Sequence, residues 1–163
     1  MKILRSILAT VVGTFVAMMA IMAIETVNFL LFKPADAPGF DDLGKLFEWS
    51  MAFQEDAEKL NAWVKSLPME AMLLLLLAWS VGAFAGGWAA ARIAGWAVLL
   101  HAGLIGALVL FGVAMNFYTL KTKHNISHPD WLIILGLLLP LPLSLLAGKT
   151  VALFNSSPLA DNP

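Results

Sequence analysis

The sequence predicts an all-α membrane protein, an antiparallel bundle of four transmembrane helices with an amphipathic helix in the first loop. Two observations predict this class. The chain is 60% hydrophobic and only 13% charged, whereas soluble domains carry about 25% charged residues. Its apolar residues also fall into four runs, each long enough to cross the roughly 30 Å hydrocarbon layer of a bilayer. We therefore expect one membrane domain over residues 1–163, with spans near 4–32, 69–93, 97–120 and 131–149.

The first apolar run is too long for a signal-peptide core of 7–15 residues and is predicted to be an uncleaved span. Near its far end, Glu25 and Asn28 lie three residues apart and so share one helix face. A carboxylate within a span is costly unless it is paired, protonated or facing water. Glu25 is therefore a candidate proton or cation site. The alternative is a structural carboxylate near the lipid headgroups.

The only long polar segment follows this span and begins with two prolines and a glycine, which end the helix. Apolar residues then recur every three or four positions, which predicts an amphipathic helix within 41–66, capped by Asp41 or Asp42. Trp49 and Trp63 suit a membrane interface. We expect this helix to lie on the bilayer or to cover the bundle; a docking surface for a soluble partner is the alternative.

The second span carries small residues at intervals of four, from Ala78 through Gly82 and Gly86 to Ala90, with a second small ridge beside them. Small residues allow helices to approach closely, and packing in lipid depends on that approach. We therefore predict that this span is the centre of the bundle. The residues expected to mediate helix packing are Gly82, Gly86, Gly87 and Gly106.

The third span contains Asn116, at a depth similar to that of Asn28 in the first. An interhelical hydrogen bond between these amides is the favoured interpretation. Together with Glu25, the two asparagines form a predicted polar cluster within the membrane.

The fourth span contains Pro140 and Pro142. Each proline removes a backbone donor, so a kink is expected there. The span is predicted to end at Gly148 and Lys149, and the following tail to extend as a short helix and then fray.

Two groups of histidines are weak candidates for ligand binding. His101 could ligate a haem or a chlorophyll magnesium, but a hydrogen bond to a neighbour near the interface is the simpler interpretation. His124, His128 and Asp130 could form a metal site in the last loop, although His128 and Asp130 also read as a helix start. We expect no cofactor, and the absence of cysteine excludes disulfides and thiol chemistry.

Charge indicates the partners and the location. A formal net charge of −1 provides no basic surface for nucleic acid. The expected partners are the lipid bilayer and other membrane subunits, or further copies of the chain. Counting lysines and arginines alone favours the opposite orientation, with the larger loops in the cytoplasm. Arg5, Arg92 and the short turn lie on the side of the termini, however, and the long loop is net acidic, so we expect the termini in the cytoplasm.

Several short motifs occur between the polar segment and the last span: Ser66-Leu67-Pro68, Ala78-Trp79, Gly82 to Gly87, Ala90 to Gly95, Asn116 and His128 to Trp131. These motifs resemble those of small bacterial four-helix integral membrane proteins to which no function is assigned. The resemblance covers roughly residues 68–148, and it implies a fold and a bacterial inner-membrane location rather than an activity.

The sequence favours an accessory or structural subunit of a larger membrane complex, or a self-associating scaffold. A small transporter or cation pathway that uses Glu25, Asn28 and Asn116 is the alternative. No nucleophile–base pair stands out, so the sequence gives no indication of an enzyme.

Overall fold

A computed structural model describes residues 2–39 and 41–155, and within this part of the chain all regular structure is helical. The predicted fraying at the end of the tail falls on residues 156–163, outside the described part. The helices are α1 Lys2–Phe32, α2 Leu43–Glu55, α3 Ala57–Ser66, α4 Met69–Ala94, α5 Val98–His124, α6 Asp130–Leu138 and α7 Pro140–Asn155.

Four helical segments are long and apolar enough to cross a membrane, the same number as the predicted spans. They are α1, α4, α5 and the continuous stretch Asp130–Asn155 formed by α6 and α7. Each contains at least 26 residues, so each exceeds the roughly 20 residues that a helical span needs.

The amphipathic segment is two helices rather than the single predicted one, and Asp56 is the reason. Its N–H donates to the carbonyl of Ala52 at the end of α2, while its carboxylate accepts from the N–H of Lys59 at 3.0 Å. One residue thus ends α2 and caps α3. Asp42 caps α2 in the same way, accepting from the N–H of Lys45 at 3.0 Å.

The last span is interrupted at Leu139, directly before the buried Pro140, which agrees with the position of the expected kink. Because proline has no N–H, the carbonyl four residues earlier loses its donor. Helix α7 continues past Gly148 and Lys149 to Asn155, as expected of a short helical extension beyond the predicted span. A Cβ at Gly148 would lie 2.7 Å from the Cβ of Ala102, so this glycine serves close packing against α5 instead of ending the helix.

Helix α4 lies at the centre, in contact with α1, α5, α6 and α7, and it is the most buried of the four spans. Its glycines face different neighbours. A Cβ at Gly82 would meet Ile21 of α1 at 2.4 Å, whereas one at Gly87 would meet Ser144 of α7 at 2.3 Å. The two small ridges therefore hold two different helices against α4.

Gly86 marks the closest approach of α1 to α4. A Cβ at this position would lie 2.6 Å from both the Cβ of Ala17 and the carbonyl oxygen of Gly13, and 3.0 Å from Ile105 of α5. Ile105 is itself fully buried. Three helices are thus in van der Waals contact around this glycine.

Ser144 of α7 occupies the corresponding junction on the other side of α4. Its hydroxyl is fully buried and donates to the carbonyl of Ala102 in α5. A Cβ at Gly106 would lie 2.8 Å from the Cβ of Ser144, so Gly106 and Gly87 flank the serine. Helices α4, α5 and α7 are consequently close-packed around this serine.

Helix α3 covers the opposite end of the bundle. Leu60 and Val64 of α3 pack on Ile126, which follows α5, to form a small buried apolar cluster. The indole N–H of Trp63 also donates to the carbonyl of Phe32 at 3.0 Å, which attaches α3 to the end of α1.

Candidate functional site

Glu25 is the centre of the candidate site because it lines three neighbouring cavities. One is a lateral groove of about 420 Å³ between α1 and α5, with Trp79 of α4 among its lining residues. A second, here called the aromatic chamber, measures about 550 Å³ and lies between α1 and the pair α2–α3. The third, here called the polar chamber, measures about 380 Å³ and lies beneath α3.

The Glu25 side chain is partly buried and has the Trp79 side chain as a hydrogen-bonding neighbour. In the described residues, ion pairs form only between Asp42 and Lys45 and between Asp56 and Lys59. Lys33, the lysine nearest to Glu25 along the chain, donates instead to the carbonyls of Ala37 and Pro38. Glu25 therefore has no cationic partner within the described part of the chain.

Asn28 contacts α4 rather than Asn116. Its amide nitrogen donates to the carbonyl of Ala71 at 3.0 Å, and its side-chain oxygen is buried without a hydrogen-bond donor. The expected amide bond between Asn28 and Asn116 is therefore wrong. The physical reason is the helix packing: α1 contacts α4 much more extensively than α5, so a backbone carbonyl of α4 is within reach of the Asn28 amide.

Asn116 is exposed on α5, at the junction of the lateral groove with the polar chamber. Glu25, Asn28 and Asn116 thus share a cavity without being directly hydrogen-bonded to one another. The three residues of the predicted polar cluster therefore line one cavity, the polar chamber, and do not form a hydrogen-bonded cluster.

His128 also lines the polar chamber, although the sequence suggested it as a metal ligand or as part of a helix start. The residue is 9% exposed, its ring packs edge-on against Phe117 with centroids 5.4 Å apart, and its Nδ1 has no partner. Burial lowers the pKa of His128, so the ring is neutral near pH 7. No local sequence signal links His128 to Glu25, because the connection depends on how the α5–α6 loop folds over the bundle.

The aromatic chamber has a ladder of rings along one wall. Trp49 and Phe53 are stacked with centroids 4.7 Å apart, and Phe53 meets Trp63 edge-on at 5.7 Å. The spacing of four between Trp49 and Phe53 places both on one face of α2. That spacing is the one sequence signal from which this wall could have been predicted.

The remaining histidines lie outside these cavities. His101 is buried at the opposite end of α5, where its Nδ1 is 3.1 Å from the carbonyl oxygen of Ala97 and its ring packs on Trp96. His124, His128 and Asp130 do not assemble into a ligand set, and no group of three potential metal ligands occurs in residues 2–39 and 41–155.

Comparison of the chain with known protein families, curated proteins and solved structures finds no match.

Proposed function

We propose that the chain is a four-span integral membrane protein whose spans pack in an antiparallel bundle. Two contacts support this arrangement. Arg5, at the start of α1, donates to the carbonyl of Ile93 at the end of α4, whereas Asn28, near the end of α1, donates to Ala71 at the start of α4. Helices α2 and α3 then form an interfacial cover, with both termini on the opposite, cytoplasmic side of a bacterial inner membrane.

The absence of native cysteine makes this topology simple to test. Single cysteines placed at Lys2 and at Lys121 lie at opposite ends of the bundle. In intact cells, a membrane-impermeant maleimide should label the Lys121→Cys variant and leave the Lys2→Cys variant unlabelled until the cells are lysed. Labelling of both variants in intact cells contradicts the four-span topology, and the reverse pattern contradicts the orientation.

Within that membrane setting, we propose that the protein is an accessory or self-associating structural subunit. The observation that carries this proposal is the face of α5 formed by Gly112 and Asn116. Both residues are exposed, they lie four apart, and a Cβ at Gly112 would have nothing within 4 Å. In a bilayer this face combines a site of close backbone approach with an amide that needs a partner. A helix from another subunit meets both requirements.

The alternative, a small transporter, is less well supported by the packing. The groove that runs from Glu25 towards Ile105 is lined mainly by apolar residues, and Gly86 and Ser144 pack closely against their neighbours. The described residues therefore offer no continuous polar route from one side of the bundle to the other. Association with further subunits would be required to build one.

Purification in a mild neutral detergent, followed by native mass spectrometry, tests the subunit proposal. We expect the wild-type chain to be recovered with a stoichiometric partner or as an oligomer. Gly112→Leu fills the exposed face and should reduce that species, while Ala107→Leu, on another exposed part of the same helix, should not. A monomer for the wild type, or equal effects of both variants, contradicts the proposal.

A further inference from the structure

We propose that the aromatic and polar chambers around Glu25 form a binding site for a lipophilic organic cation. This inference rests on the cavities of a single chain. Gly112 and Asn116 line the lateral groove, and Asn116 also lines the polar chamber, so variants at Glu25 and Trp49, which leave that face of α5 unchanged, separate cation binding from the proposed association. It concerns cavities inside the fold, beside an acidic group that has no cationic partner, and not a surface for association.

The first argument is the charge of the lining. Glu25 is the single acidic residue among the described residues that line either chamber, and no lysine or arginine is found among them. The unpartnered side-chain oxygen of Asn28 adds partial negative charge in the polar chamber. His128 adds no positive charge while its ring is neutral. A cation is therefore the complementary ligand.

The second argument is the aromatic wall. Trp49, Phe53 and Trp63 bring three π systems to one chamber, and Trp63 is held in place by its hydrogen bond to Phe32. Cations bind over aromatic faces within about 6 Å, most strongly over tryptophan and where water is excluded. The same rings favour an apolar ligand, which distinguishes an organic cation from a hydrated metal ion.

The third argument is the volume of the two chambers and the presence of buried polar atoms without hydrogen-bond partners in their lining. Chambers of about 550 and 380 Å³ fall in the range of small-molecule sites, roughly 300–1,000 Å³. His128 is more than nine-tenths buried and lines the polar chamber, yet its Nδ1 has no partner. Buried polar atoms without partners are uncommon in folded proteins. A cation with N–H groups, such as a protonated amine, could donate to the Asn28 oxygen and to Nδ1 of the neutral ring, whereas a phosphonium interacts with these atoms only electrostatically.

The fourth argument is access. The lateral groove between α1 and α5 also reaches Glu25, and its walls are mainly apolar, with Met18, Ile21 and Leu108 among them. A lipophilic cation dissolved in the bilayer could therefore approach Glu25 along this groove without passing between the closely packed helices around Gly86 and Ser144.

Tetraphenylphosphonium and tetraphenylborate are a suitable pair of probes, because they have nearly the same shape and opposite charge. Binding to purified full-length protein in a neutral maltoside detergent is measured by equilibrium dialysis. We expect saturable binding of tetraphenylphosphonium and no saturable binding of tetraphenylborate. Absence of saturable phosphonium binding, or equal affinity for the two ions, overturns the proposal.

Variants then assign the binding to the chambers. Glu25→Gln keeps the shape and removes the charge, so phosphonium binding should weaken by about tenfold or more. Glu70→Gln, which neutralises an exposed carboxylate at the start of α4, is the matched control and should bind as the wild type does. Unchanged affinity in Glu25→Gln would refute the site.

Two further variants keep the proposal testable if Glu25→Gln fails to fold. Glu25→Asp retains the charge and should retain phosphonium binding. Trp49→Leu leaves the carboxylate and shortens the aromatic wall, so its affinity should fall while its oligomeric state stays that of the wild type. Wild-type affinity in Trp49→Leu would show that the cation does not occupy the aromatic chamber.

Discussion

The contact between α1 and α4 at Gly86 provides a quantitative test of the packing. Replacing this glycine by alanine adds one methyl group, and its carbon would lie 2.6 Å from the carbonyl oxygen of Gly13. Ordinary van der Waals contact for a Cβ begins at 3.4 Å, so the two helices must separate locally by about 0.8 Å. The obstacle is backbone, which cannot rotate away as a flexible side chain would.

Two opposing effects set the expected stability of Gly86→Ala. Alanine is a better helix former than glycine by about 1 kcal/mol, whereas overpacking costs about 1–3 kcal/mol. The control is Gly112→Ala, which gains the same helix propensity and meets nothing within 4 Å. The propensity gain therefore cancels between the variants, and their difference in free energy of unfolding should be about 1–3 kcal/mol.

The measurement is unfolding in mixed micelles of sodium dodecyl sulfate and a neutral detergent, followed by far-ultraviolet circular dichroism. The comparison is made on monomeric protein, because Gly112 lies on the proposed association face. Gly112→Ala should then be at least as stable as the wild type, and Gly86→Ala less stable. Equal stability of the two alanine variants would mean that α1 and α4 do not approach closely at this position. The assignment of Gly86 to that interface would then be wrong.

Three further expectations follow from particular contacts. Ser144→Ala removes the buried hydroxyl that donates to Ala102 and should cost about 0.6–1.7 kcal/mol in the same unfolding assay; no loss would contradict that bond. Asp56→Ala removes the cap that accepts from Lys59, so amide hydrogen exchange should accelerate in the first turn of α3, while Asp56→Asn should retain protection. Because burial lowers the pKa of His128, the unfolded chain binds more protons below about pH 6.5, and stability should fall as the pH drops from 7.5 towards 5.5. The variant His128→Asn should lose that part of the pH dependence, and an unchanged profile would argue against burial.

The sequence was sufficient to predict four long apolar helices, because apolar runs of this length have few alternatives in a polypeptide chain. It could not predict the break at Asp56. Apolar residues continue at helical spacing on both sides of that residue, so periodicity alone indicates one helix. The break depends on one carboxylate reaching the N–H of Lys59, a local geometry that competes with continuing the helix.

The sequence also could not predict which helix each small residue contacts. Gly86 and Gly87 are adjacent and both suit close packing, yet one faces α1 and the other α7, because successive residues in an α-helix are rotated by about 100°. Spacing predicts that such ridges exist; three-dimensional packing decides which helix each one contacts. The same limit applies to Asn28, whose partner proved to be a carbonyl of α4.

The packing around Gly86 and Ser144 differs from the packing around Glu25, and this difference explains the position of the candidate site. Around Gly86 and Ser144 the backbones touch, which leaves little room between α4 and its neighbours α1 and α7. Beside Glu25, the large rings of Trp79 and Trp63 instead line the lateral groove and the polar chamber. Bulky rings cannot fill these cavities completely, since interiors reach native density only when large and small residues interdigitate. The acidic group is therefore placed where the fold has space, under a cover that α3 provides through its contacts with α1 and α5.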